Sequence, residues 1–171
     1  MKKIPLVLAL FLAAVSASAQ EKAHPFYIGI GTGLDFPASG WNPDYYVGGG
    51  AHFFGGVKLD PACAAQLDIQ DWAYLGGGQA QYHFRFLAEA KVTLPGDAWQ
   101  PYFIAGPGLS LRTFYFGGQS ASNLDLLAGV GAQVGLGGDS HLFVQAALNA
   151  LVDASPAVLD LPLTAGLWVG L

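Results

Sequence analysis

Ionisable and nucleophilic side chains are sparse in this chain, and their spacing decides what they can do. His83, Arg85, Glu89 and Lys91 share one parity within a single segment, which places them on one side of an extended chain. Such a row can form ion pairs or hold protons. It does not form a compact local ligand set. The four histidines, His24, His52, His83 and His141, are scattered without short metal-ligand spacing, so no metal is expected. Ser140 and His141 are adjacent, which in a strand sends them to opposite faces, whereas a Ser/His hydrolase needs them within hydrogen-bond reach. Ser110 is the serine that could share a face with His83. The stretches Gly29-x-Gly31-x-Gly33 and Gly48-Gly49-Gly50 open no helix and lack a following Lys-Ser/Thr, so they do not read as phosphate loops. Cys63 is alone and can form no intramolecular disulfide. No catalytic residue and no cofactor is expected.

The elements that position these groups follow from period-two alternation. Strands are predicted at about 25–34, 45–59, 63–75, 80–94, 102–116, 123–136 and 141–152, with an eighth ending the chain. The fourth is the clearest. Tyr82, Phe84, Phe86, Ala88, Ala90, Val92 and Leu94 form an apolar face, opposed by His83, Arg85, Glu89 and Lys91. In the sixth, Leu124, Leu126, Ala128, Val130, Ala132 and Val134 oppose Asp125 and Gln133. Short connections rich in turn formers, Leu59-Asp60-Pro61-Ala62, Pro95-Gly96-Asp97-Ala98 and Gly137-Gly138-Asp139-Ser140, alternate with longer ones. The longer ones fall at about 35–44, 117–122 and 153–160, with a shorter one at Gly76-Gly77-Gly78.

Where such strands reside follows from the ends and the composition. Met1-Lys2-Lys3, an apolar run from Ile4 to Val15 and the exit Ser16-Ala17-Ser18-Ala19 form a secretory signal pattern. Residues 1–19 are therefore expected to be a cleaved signal peptide and 20–171 a single domain. Hydrophobic residues make up 53% of the chain and charged residues only 11%, against about 25% charged in soluble domains. That composition suits a membrane. The mature part has no apolar run of the roughly 20 residues a spanning helix needs. The other structure that satisfies its backbone in lipid is a closed barrel. The fold expected is all-β, an eight-stranded antiparallel up-and-down transmembrane barrel. Without Lys2 and Lys3 the chain carries five Lys+Arg against twelve Asp+Glu, which excludes a nucleic-acid partner.

Placing Arg or Lys on the lipid face near the midplane costs about 2–4 kcal/mol, so the polar parity belongs inside. The interior network expected is Lys58, Asp68, His83, Arg85, Glu89, Lys91, Arg112, Asp125 and Gln133. An interior of eight strands is just wide enough for side chains to fill, so a plugged barrel is expected rather than a pore. Asp35, Asp44, Asp60, Asp97, Asp139, Asp153 and Asp160 are assigned to turns and loops. Asp71 has outward parity, which a bulge or the headgroup zone could accommodate. Trp72 and Tyr74 could then join an interfacial girdle with Tyr45 or Tyr115, although parity alone sends them inward. Both termini fall on the short-turn side, which is periplasmic in such barrels.

Phe26-Tyr27-Ile28-Gly29-Ile30-Gly31-Thr32-Gly33 resembles the first strand of the OmpA/OmpX-like outer-membrane β-barrel superfamily. Pro101-Tyr102-Phe103-Ile104-Ala105-Gly106-Pro107-Gly108-Leu109 is similar to its mid-barrel strand. The resemblance spans the mature chain and identifies a class rather than a task. It implies the outer membrane of a Gram-negative envelope, outer-membrane lipids as surroundings, and periplasmic chaperones and the barrel-insertion machinery during biogenesis. It also implies a C-terminal insertion signal, carried here by Leu163, Leu167, Val169 and Leu171, with Leu171 where the family has an aromatic residue. A monomer with a structural envelope role or a surface ligand at its loops is the expected function, and the loop around Trp41 is the candidate contact. The alternative is a lipid A-modifying enzyme. The deacylase pattern of His and Ser two apart on one strand is absent, because Leu142 and Phe143 follow His141.

Overall fold

The computed structural model describes residues 25–40, 45–76, 79–114, 121–152, 154 and 157–171. The expected signal peptide and the loop around Trp41 lie outside them, as do Tyr115 and the Tyr45 side chain. Eight strands follow in order: β1 (Phe26–Ser39), β2 (Tyr45–Lys58), β3 (Cys63–Gly76), β4 (Gln79–Thr93), β5 (Gln100–Phe114), β6 (Ala121–Gly137), β7 (Ser140–Leu151) and β8 (Val158–Gly170). Each pairs antiparallel with its neighbour, and β1 pairs with β8 to close the barrel. Closure leaves no free strand edge among the described residues.

Alternation explains the two surfaces. Ile28, Ile30, Leu67, Ile69, Phe84, Phe86, Phe103, Leu109, Val130, Leu163 and Leu167 are exposed on the outside, a distribution suited to lipid rather than water. Inside, Tyr27, Phe54, Leu87, Tyr102, Ile104, Leu127, Phe143, Ala147 and Trp168 pack into one cluster. A strand of 14 residues at about 3.3 Å each, tilted about 40°, rises roughly 35 Å, more than the roughly 25 Å of an outer-membrane apolar band. The strands therefore project beyond that band.

The connections at the end carrying the chain termini are tight. Between β6 and β7, Gly137 and Gly138 adopt φ of 106° and 58°, a left-handed backbone that favours glycine. Between β2 and β3, Asp60 Oδ1 accepts the backbone N–H of Ala62 and of Cys63, both at 2.7 Å. These two bonds hold the Asp60 carboxyl below its ordinary pKa, because they favour the charged form. The chain ends are tied in too, with Leu171 N–H donating to Phe26 O at 2.8 Å.

Three expectations need correction. First, β1 runs on to Ser39 and β8 begins at Val158, so Asp35 and Asp160 lie in strands and are buried inside the barrel rather than in loops. Pro37 hides this continuation. Proline donates no backbone hydrogen bond and is tolerated at bulges, and the β1–β8 register shifts between Pro37 and Ser39. Second, Trp72 and Tyr74 are fully buried in the interior and join no girdle. Third, no bulge relieves Asp71. Registers on both sides run unbroken through it, opposite Ala51 and Phe84, and its side chain is exposed on the outer face.

Candidate functional site in the barrel interior

Ring closure sends every inward side chain toward one axis, and the longest of them meet there. The upper part of the interior, toward the 40–44 and 152–157 connections, is organised around Arg85 on β4. Its Nη1 donates to Asp35 Oδ2 at 3.1 Å, its Nη2 to Asp160 Oδ2 at 2.8 Å, and its Nε lies 3.5 Å from Asp125 Oδ2. All four side chains are fully buried. The Tyr74 hydroxyl donates to Asp35 and accepts from Arg85 Nη2 at 3.3 Å. His83 Nδ1 lies 3.4 Å from the same guanidinium nitrogen, and its Nε2 faces Gln81 Nε2 at 3.1 Å. Asn149 and Ser110, also buried, stand beside this cluster: Asn149 is paired with Asp160, and Ser110 with Arg85. Nearer the rim, Arg112 Nε donates to Asn123 Oδ1 at 3.0 Å.

The next set links β2 and β3. His52 Nδ1 is 3.0 Å from Asp68 Oδ2, Gln70 Nε2 donates to the same oxygen at 2.9 Å, and Trp72 Nε1 donates to Gln70 Oε1 at 3.0 Å. Lower, Gln66 Nε2 donates to Glu89 Oε2 at 2.7 Å, and Gln66 Oε1 accepts from the Tyr27 hydroxyl at 2.9 Å. At the terminal end Lys91 Nζ donates to Gln133 Oε1 at 2.6 Å and sits 4.1 Å from the Tyr102 ring centroid. Lys58 Nζ lies 5.2 Å from the Trp168 ring. Large rings are accommodated by glycines opposite them. A Cβ added at Gly29 would collide with the Phe54 ring, and one at Gly131 with Tyr102.

Each of the nine residues expected inside is therefore directed inward, with Lys58 and Arg112 only partly buried near the two ends. The structure distributes them along the axis instead of gathering them at one centre. The acid-rich cluster stands toward one end, and the two lysines toward the other. Asp35, Asp160, Tyr74, Gln66, Gln70 and Trp168 join these nine in the interior. For the two acids the missed signal was parity itself: Asp35 continues the register of Tyr27, and Asp160 that of Trp168. Leu163, Leu167, Val169 and Leu171 are exposed on the outside of β8 or just beyond it.

Among the described residues, Ser110 Oγ has no hydrogen-bond partner, and the Ser140–His141 neighbours diverge. His141 stacks on Trp168 inside, whereas Ser140 lines an outer groove with Leu136 and Leu167. Ser110 is registered with Arg85, and His83 with Arg112 instead. Physically, the interior gathers buried carboxylates around Arg85 and fills volume with rings. Every strand contributes at least one buried inward side chain, from Tyr27 on β1 to Trp168 on β8.

Residues 6–155 match the sequence model of the family described as outer membrane protein beta-barrel domain. In fold the chain is similar to Neisserial surface protein A, with a TM-score of 0.76 at 16% identity over 88% of this chain and 100% of that one. It is also similar to the N-terminal β-barrel domain of Pseudomonas aeruginosa OprF, at TM-score 0.53 and 14% identity over 83% and 96% of the two chains. Pseudomonas aeruginosa OprG gives 0.52 at 12% identity, over 86% and 96%. No curated protein matches in sequence.

Proposed function

The chain belongs to the outer membrane protein beta-barrel domain family, and from that premise we propose that it serves a structural or surface-interaction role through the connections remote from its termini. Its place is the outer membrane, where the apolar belt meets lipid. One observation carries the proposal: the interior is occupied. Arg85 on β4 reaches Asp160 on β8 across the barrel, and aromatic rings fill the space below. A lumen closed in this way leaves the loops as the surface available to partners. The short turns and both termini then face the periplasm, and the outward face of β8 toward its C-terminal end supplies the insertion signal.

The test compares cells lacking the protein with cells carrying it intact or with residues 40–44 and 115–120 replaced by short turns. Capture of surface partners and resistance of the envelope to detergent are measured, together with the mass spectrum of lipid A. Loss of either capture or resistance on loop replacement, with lipid A unchanged throughout, is expected. A change in the number of acyl chains on lipid A when the intact protein is restored would overturn the reading in favour of an enzyme.

A further inference from the structure

We propose that the mouth of the barrel at the end carrying both termini binds a small oxyanion, a carboxylate or a phosphate. A cavity of about 330 Å³ opens there, and Lys58, Gln100, Gln133, His141 and Trp168 are among its lining residues. An adjoining recess of about 40 Å³ shares Lys58, Gln133 and Trp168 and adds Lys91. Both ammonium groups are held at one indole, with Lys58 Nζ 5.2 Å and Lys91 Nζ 5.5 Å from the Trp168 ring.

Donors outnumber acceptors in this mouth. Among the described residues neither lysine is ion-paired: the pairs found join His52 to Asp68 and Arg85 to Asp35, Asp125 and Asp160. Lys91 gives one proton to Gln133 Oε1, and an ammonium has three. The acids nearby are otherwise engaged. Asp60 lines both recesses but is turned to its own loop, taking two backbone N–H groups on Oδ1 and forming no ion pair with either lysine; Glu89 lies deeper and accepts from Gln66, and Asp139 stands in the next turn.

The second observation is independent of charge. Trp168 is only 5% exposed, lines both recesses, and its Nε1–H has no hydrogen-bond partner. A buried N–H without an acceptor is uncommon and calls for a partner. Its ring is fixed by His141, stacked at 3.9 Å and 2° from parallel, whose Nδ1 is likewise without a partner. Two ammonium groups and one indole N–H form a donor set that an oxyanion satisfies with charge-assisted hydrogen bonds. A cation would be repelled by the lysines, and an apolar guest would offer no acceptor to any of the three donor groups.

The test uses the mature protein folded in maltoside micelles at constant ionic strength. The indole N–H resonance of Trp168, assigned by Trp168→Phe, is followed while inorganic phosphate, acetate or chloride is added. A saturable shift with phosphate or acetate, half-complete on the order of 1 mM, is expected. Whichever saturates at the lower concentration identifies the class of anion. Lys58→Met and Lys58→Gln should each raise the half-saturation concentration at least about tenfold, and Lys58→Arg should restore it. Absence of a saturable shift in the wild-type protein overturns the proposal. So does equal saturation by chloride, or unchanged binding in both neutral Lys58 variants.

Discussion

Arg85 Nη2 lies 2.8 Å from Asp160 Oδ2, although the two residues belong to β4 and β8, on opposite sides of the ring of strands. Both are fully buried. Removing one partner of a buried pair leaves an uncompensated charge and typically costs about 3–5 kcal/mol. Arg85→Met strands three carboxylates at once and should fall at the upper end of that range. Asp160→Asn should cost less, because Asp35 and Asp125 still face the guanidinium. Urea unfolding in lipid vesicles compares the two. Equal midpoints for both variants would refute the view that Arg85 is the hub.

The facing of β6 and β7 can be tested with one pair of substitutions. Val130 is 52% exposed on the outer face, flanked by Phe103 and Ala146. Val130→Arg should reduce membrane yield, at about 2–4 kcal/mol if it lies near the midplane. Gln133 has inward parity, but an arginine there would stand beside Lys91. Gln145 is the better inward control: it is half-buried, and its hydrogen-bond partner is the Tyr102 hydroxyl rather than an ammonium group. Gln145→Arg should insert better than Val130→Arg, as judged by heat-modifiable migration of the membrane fraction.

Ring and glycine should behave as one unit. Gly29→Ala forces its new Cβ against the Phe54 ring, an overpacking that typically costs about 1–3 kcal/mol. Combining it with Phe54→Leu should recover part of that loss. A double-mutant cycle in urea reads the coupling, and strictly additive effects would show that the ring yields without penalty.

Asp60 supplies a pH dependence whose sign is fixed by its partners. Its folded-state pKa lies below the ordinary carboxylate value of about 4, because two backbone N–H groups stabilise the anion. The stabilisation is complete above the unfolded-state pKa and is lost as the pH falls through the lower folded value. Amide resonances of Ala62 and Cys63, followed from pH 7 downward, should hold position at about pH 4 and move only below it. Asp60→Asn should abolish that transition while keeping the barrel. A midpoint at or above the ordinary value would contradict the turn geometry.

Parity made most of this architecture legible. Arg85, Glu89 and Lys91 could be assigned inward because β4 alternates without interruption and charge is costly in lipid. Asp35 and Asp160 escaped because Phe36-Pro37 and Leu161-Pro162 resemble loop, and nothing local reveals that a bulge lets β1 continue past proline. Pairing across strands was hidden for another reason. Which carboxylate meets Arg85 depends on register around the whole ring, and period two fixes facing but not height. For Trp72 and Tyr74 parity alone gives the facing: both are buried inside, although their aromatic rings would suit an interfacial girdle equally well.

The seam between β1 and β8 gains a property from the cluster that crosses it. Asp35 sits on one side of that seam and Asp160 on the other, and Arg85 grips both from the far wall. A nearly complete barrel with its first and last strands apart cannot assemble this three-way contact. The penalty therefore falls on half-closed intermediates, and the last pairing step is joined to the burial of charge. Closure of the cylinder proofreads itself: a wrong register at the seam displaces one aspartate from the guanidinium and is left less stable than the correct one.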